Sequence, residues 1–164
     1  MVYLSLMMRT KKNAKQSNYI RDGRAPIPKK KITSIIMSKI RAKNTKPEVL
    51  LRKALIKNGI RTFSLHIKNL PGKPDICFKK RKLAIFVNGC YWHRCPKCKP
   101  KLPKTHKSFW NNKFKANVLR DEKKNSNLKK MGYRVITIWE CQIKENIKPI
   151  IVKISKSLKR DVNR

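Results

Sequence analysis

The sequence predicts an α/β fold: one domain on a central mixed β-sheet flanked by helices, preceded by a basic arm and carrying a metal-binding loop. Three observations predict it. The run Leu83-Ala84-Ile85-Phe86-Val87 is continuously apolar and Arg134-Val135-Ile136-Thr137-Ile138-Trp139 nearly so, as expected of strands covered on both faces. Segments of helical periodicity stand before, between and after these runs. The chain has 164 residues, 40% of them hydrophobic, which suffices for one core and hardly for two domains.

The elements follow in order. Residues 1–33 mix Lys and Arg with Asn, Gln, Pro and Gly without periodicity, and read as a basic, disordered arm; residues 34–164 form the domain. A helix starts at Thr45-Lys46-Pro47-Glu48, which supplies a cap, an early Pro and a Glu three positions on. Its apolar face is Val49, Leu50, Ala54 and Leu55, with Leu51 and Ile56 less tightly placed, and Asn58-Gly59 ends it. Arg61–His66 is a weak strand candidate, and Asp75–Phe78 and Leu83–Val87 are stronger ones. Residues 88–107 form a Cys/Pro/Lys-rich loop too long to be structureless without a metal or a function. Ser108–Met131 is a helix closed by Gly132, Arg134–Trp139 a strand, and residues 143–160 a basic helix with a break at Pro149.

Charge points to the partner. Lys plus Arg number 44 against 8 acids, a net charge of +36, so a polyanion is expected, nucleic acid ahead of a membrane surface. No apolar run reaches the roughly 18–20 residues of a spanning helix, which argues against an integral membrane protein. The short run Val2–Met8 has no charge before it, so a secretory signal is not expected.

Chemistry has few residues to draw on. The acids are Asp22, Glu48, Asp75, Asp121, Glu122, Glu140, Glu145 and Asp161, and the histidines are His66, His93 and His106. Five cysteines, an odd number without a signal, fit metal binding better than disulfides. Cys95 and Cys98 have the C-x-x-C spacing that grips a tetrahedral zinc from one turn. Cys90 is a third candidate, and spacing leaves the fourth open between His93 and Cys141. Cys77, within a strand, reads as core. Asp75 begins a strand after Leu70-Pro71-Gly72-Lys73-Pro74, where a carboxylate can hold Mg²⁺ or simply cap a turn. Glu48 alone reads as the last member of a capping box, and Asp121 as a surface charge pair. Tyr91 and Trp92 lie in a polar loop, which suits a stacking or wedge role as well as packing.

Together these residues resemble the very short patch repair (Vsr) DNA mismatch endonucleases. The match runs from about Ser34 to Glu145. Its motifs are Met37–Arg41 with Asn44–Glu48, Leu70–Asp75, Ile85–His93, Phe109-Trp110, Lys113 with Asn117 and Arg120-Asp121, and Gly132–Val135 through Trp139-Glu140-Cys141. The resemblance implies a restriction-endonuclease-like core and a Mg²⁺-dependent enzyme that nicks one DNA strand 5′ of the thymine in a T·G mismatch. It implies Asp75 as the Mg²⁺ ligand with the Val87 carbonyl, Glu48 as an acid reaching the metal through water, His93 as a catalytic histidine, and Asp121 as an acid near the position of Asn88. Cys141 then joins Cys90, Cys95 and Cys98 on a structural Zn²⁺, and Met37, Tyr91 and Trp92 become the wedge residues. Asn88 departs from the pattern: it stands where the best-known member has a second catalytic histidine, and an amide cannot act as a base near neutral pH.

The expected partner is double-stranded DNA with a T·G mismatch, with mismatch-repair proteins as further partners. The expected setting is a prokaryotic cytoplasm at the nucleoid, and one nick needs only a monomer. The alternatives are a related restriction or defence nuclease, and a zinc-stabilised DNA-binding protein without catalysis.

Overall fold

The computed structural model describes residues 43–159. The arm at 1–33 and Met37 lie outside the described residues. The elements are helix α1 (Lys46–Lys57), strand β1 (Ile76–Phe78), strand β2 (Leu83–Asn88), helix α2 (Lys107–Lys130), strand β3 (Arg134–Trp139), helix α3 (Glu140–Glu145) and helix α4 (Lys148–Lys159).

The three strands form one mixed sheet in the order β1-β2-β3. β1 runs antiparallel to β2 with Ile76 opposite Ile85, and β2 runs parallel to β3 with Asn88 opposite Trp139. β2 is therefore central, which is why it is apolar from Leu83 to Val87. Alternation along it sorts two packing faces. Leu83 and Ile85 join Ile76, Phe78, Ile136 and Ile138 against α1, α3 and α4. Ala84 and Phe86 join Cys77 and Leu70 against Leu128 of α2. The same alternation turns Asn88 toward α2, the crossover helix between the parallel strands.

α1 begins as its sequence predicts. Thr45 Oγ1 donates to Glu48 Oε1 at 2.7 Å, and the Asn44 amide donates to Glu48 Oε2 at 3.0 Å. The buried face differs from the expected one. Leu51 and Leu55 are fully buried, while Leu50 is 51% and Ile56 45% exposed. Burying a leucine is worth about 1.5–3 kcal/mol, so the Leu51/Leu55 pair, four residues apart, sets the helix rotation. That rotation carries Glu48, one turn before Leu51, onto the buried side, where it is 3% exposed.

Two further expectations are corrected. Arg61–His66 is not a strand; it makes a single bridge, Ser64 to Cys77, and His66 then turns the chain with φ 46°. The C-terminal region is two helices rather than one broken at Pro149. The break falls at Asn146 and Ile147, and Pro149 sits in the first turn of α4, where its missing N–H is harmless. α2 starts at Lys107 and ends before Gly132, whose φ of 79° makes the turn into β3. No described helix is long and apolar enough to cross a membrane.

Candidate active site

Two clusters of polar side chains meet beside the last residues of β2. The first takes one group from each of three segments: Glu48 from α1, His66 from the turn after the Ser64 bridge, and Asp75 from the residue before β1. Because β1 is antiparallel to β2, the start of β1 lies beside the end of β2, and Asp75 Oδ2 accepts the Val87 amide at 2.8 Å. Glu48 Oε2 is 3.7 Å from His66 Nε2, and Asp75 Oδ1 is 3.7 Å from His66 Nδ1. The imidazole thus stands between two carboxylates. Burial pushes the Asp75 pKa above its ordinary value; the Val87 amide opposes that rise, the Glu48 charge adds to it, and His66 and Lys124 counter it.

The second cluster is Asn88, His93 and Asp121. Asp121 lies on the face of α2 that meets the sheet. His93 Nδ1 is 2.5 Å from Asp121 Oδ2, Asn88 Nδ2 donates to the same oxygen at 3.3 Å, and Lys124 Nζ is 2.8 Å from Oδ1. Burial alone would raise Asp121, but its hydrogen bonds to His93 and Lys124 outweigh it and hold the carboxyl below its ordinary range. An ionised carboxylate only accepts, so His93 Nδ1 carries a proton toward Asp121. Asp121 is therefore no surface pair of α2 alone. Val87 and Asn88 are consecutive residues, so the two clusters share one strand end. Lys124 ties them further: it salt-bridges Asp121, acts electrostatically on Asp75 and lies 4.1 Å above the Phe86 ring.

Beyond this strand end lies the cysteine cluster. Cys90, Cys95, Cys98 and Cys141 bring their sulfurs within 4.8 Å of one another, which leaves His93 with Asp121 and outside the thiol set. Cys141 lies in the first turn of α3, just past β3. The Cys95 and Cys141 sulfurs are 3.8 Å apart. That is the edge of a tetrahedron with metal–sulfur bonds of about 2.3 Å, so the donor set fits a metal of zinc type. Burial pushes the Cys90 thiol up to about 12, so without a cation this thiol resists charging. Lys97 beside the cluster ion-pairs with Glu145.

Tyr91 and Trp92 are half-buried in an aromatic nest. Tyr91 stands edge-on to Trp92 and to Phe114, with ring centroids 5.2 and 5.3 Å away, and Trp110 stacks on Phe114 at 5.8 Å. Buried Asn117 of α2 donates to the Trp92 carbonyl at 3.0 Å and pins the loop. Sequence reasoning missed two members of the site, His66 and Lys124. His66 sits in a stretch without periodicity, and only its identity as one of three histidines marked it. Lys124 is one lysine among many.

A family model described as DNA mismatch endonuclease Vsr matches residues 27–99. The chain is 42% identical over 110 residues to the type II nicking enzyme V.XorIIP of Xanthomonas oryzae, covering 67% of this chain and 80% of that protein. It is 42% identical over 111 residues to the type II nicking enzyme V.NmeAIP of Neisseria meningitidis, covering 68% and 79%. It is 34% identical over 108 residues to the DNA mismatch endonuclease Vsr of Escherichia coli, covering 66% and 69%.

Proposed function

The chain belongs to the Vsr family of DNA endonucleases, and from that premise we propose that it is a mismatch nickase. Its substrate is double-stranded DNA with a T·G pair left by deamination of 5-methylcytosine. It cuts one strand 5′ of the thymine, starts very short patch repair, works as a monomer at the nucleoid of a prokaryotic cytoplasm, and hands its product to mismatch-repair proteins. We further assign its core to the restriction-endonuclease-like type.

The observation that carries this reading is the convergence of the two clusters on Val87 and Asn88. A protein that only bound DNA would need no partly buried carboxylate raised in pKa beside a histidine held by a second carboxylate. Asp75 and the Val87 carbonyl would hold Mg²⁺, with Glu48 reaching it through water; a partly buried carboxylate with a second carboxylate beside it fits that group. When bound, Mg²⁺ would supply charge neutralisation at the scissile phosphate and at the leaving oxygen.

The chain's own residues do the rest. His93 Nε2 accepts the proton of the attacking water, while Asp121 fixes the ring and stabilises the imidazolium that forms. Asn88 donates a hydrogen bond, to Asp121 in the free protein and to the phosphate in the complex. Cys90, Cys95, Cys98 and Cys141 would hold a structural Zn²⁺ with no place for water, tying the wedge loop to the β3–α3 corner. Tyr91 and Trp92, braced by Phe114 and Asn117, together with Met37, enter the duplex at the mismatch, where unstacking costs less. The net charge of +36 supplies phosphate affinity that falls steeply with salt.

A nicking assay on one duplex with a T·G pair and a matched T·A control, in Mg²⁺ and then in EDTA, tests the proposal. A Mg²⁺-dependent nick at the mismatch alone is expected. Equal cutting of both duplexes would move the assignment to a restriction or defence nuclease. Tight mismatch binding without cutting would leave a zinc-stabilised DNA-binding protein.

A further inference from the structure

We infer that His66 is a direct nitrogen ligand of the catalytic divalent cation, bound through Nδ1 beside Asp75 while its Nε2–H is held by Glu48. The inference deepens the nuclease reading and rests on it.

The geometry comes first. Glu48, His66 and Asp75 bring donor atoms that all lie within 4.8 Å of one another, close enough for one ion and the carboxylate that orients its ligand. His66 Nδ1 and Asp75 Oδ1 are 3.7 Å apart. Two ligands on one ion at about 2.1 Å lie between about 3 and 4.2 Å from each other, according to the angle between them. Asp75 Oδ1 is the oxygen left free for a metal, because Oδ2 already accepts the Val87 amide.

The two ring nitrogens face different surroundings. Nε2 is completely buried, has no hydrogen-bond partner, and stands 3.7 Å from Glu48 Oε2. A buried donor left unsatisfied costs about 1–3 kcal/mol. A cation on Nδ1 would draw the ring's proton onto Nε2 and strengthen its interaction with the Glu48 carboxylate. Metal-bound histidines commonly donate their second nitrogen to a carboxylate in this way. Glu48 is itself rigid, since Asn44, Thr45 and the start of α1 hold both of its oxygens. The His66 backbone has φ 46°, a left-handed conformation disfavoured for a residue with a side chain, and it places the imidazole between the two acids.

The consequence is a change in metal preference. A site of oxygens alone suits Mg²⁺ and Mn²⁺ alike, whereas an imidazole nitrogen favours a transition-metal cation over Mg²⁺.

The test uses Mn²⁺ alone as the probe on the full, zinc-loaded chain. Pulsed electron paramagnetic resonance of bound Mn²⁺ should show nitrogen coupling that changes when the histidines are ¹⁵N-labelled, a result that needs no variant. His66→Gln should remove the coupling and weaken Mn²⁺ by about 10- to 100-fold, and Asp75→Asn should abolish binding at the site. Mn²⁺ binding that depends on Asp75 but lacks nitrogen coupling, or keeps it in His66→Gln, would overturn the ligand role of His66 and leave the nuclease reading standing. Binding as tight or tighter in His66→Gln would do the same and make the imidazole an ion-pair partner of the two acids. Mn²⁺ that fails to bind, or binds without regard to Asp75, would overturn the metal centre together with the inference.

Discussion

Asp75 and Asp121 flank the same strand end, and their surroundings push them in opposite directions. Asp121 is surrounded by donors: His93, Asn88 and Lys124 all reach its two oxygens. Its charge is neutralised within the protein, and its pKa lies below the ordinary range. Asp75 has a second carboxylate, Glu48, for a neighbour and one backbone amide for a hydrogen bond. Its charge is under-compensated, and its pKa is raised. Two acids tuned apart in one site point to two roles. In the proposed mechanism the satisfied one positions a base, and the unsatisfied one takes a cation.

The sharpest break of this contrast removes the frame common to both corners. If the four cysteines hold zinc as proposed, Cys141→Ser should lose it and unfold the domain at moderate temperature, because binding and folding are coupled in such sites. Zinc content and circular dichroism report it together, and an undiminished zinc content would return His93 to the ligand set. Asp75→Asn should next lower nicking by about 10³-fold or more while DNA affinity at fixed salt holds. Activity equal to the parent would take Asp75 out of the mechanism.

The same substitution should act oppositely on stability. For Asp75 the folded pKa exceeds the unfolded value of about 3.9, so the cost of its charge accumulates as pH rises through the folded value and persists above it. Metal-free Asp75→Asn should therefore melt higher than the parent near neutral pH, by roughly 3 °C, and added Mn²⁺ should erase the gap.

Asp121→Asn should do the reverse. Its folded pKa is depressed, so its contribution is present above about pH 3.9 and fades as pH falls through the folded value. The variant should melt lower at pH 7 and match the parent in strong acid. It should also lose about 10²-fold in kcat, since an amide no longer requires the proton on His93 Nδ1. A loss confined to KM would remove the positioning role. The smallest effect belongs to Asn88→His. It adds a second imidazole against Asp121 and should raise nicking by less than about tenfold. A fall in activity would show that the donor role of Asn88 matters more than a second base.

Much of this was legible in the chain. The C-x-x-C pair and Cys90 lie within nine residues of one another, so spacing alone pointed to a metal. β3 and α2 came out within a residue of their expected bounds, because a run of β-branched residues and a Gly stop are local signals. Assigning Cys141 to the thiols and His93 to the acids needed the family resemblance, since both choices had plausible spacing. The capping-box and active-site readings of Glu48 proved compatible: the carboxylate caps α1 and faces His66.

The sequence by itself determined the α/β class, the three strands β1 to β3, the cysteine loop and the strongly basic charge. Each rests on composition or on short periodic patterns that survive any tertiary arrangement. Only the tertiary structure decided which face of α1 is buried, and with it the inward turn of Glu48. It also decided that His66, from a stretch with no periodic signal, stands between two acids, and that Lys124 bonds Asp121 directly but acts on Asp75 only through space. Those outcomes depend on the antiparallel register of β1 on β2 and the parallel crossover through α2. Register and crossover are set by packing among residues far apart in the chain, and no local window of sequence contains both partners.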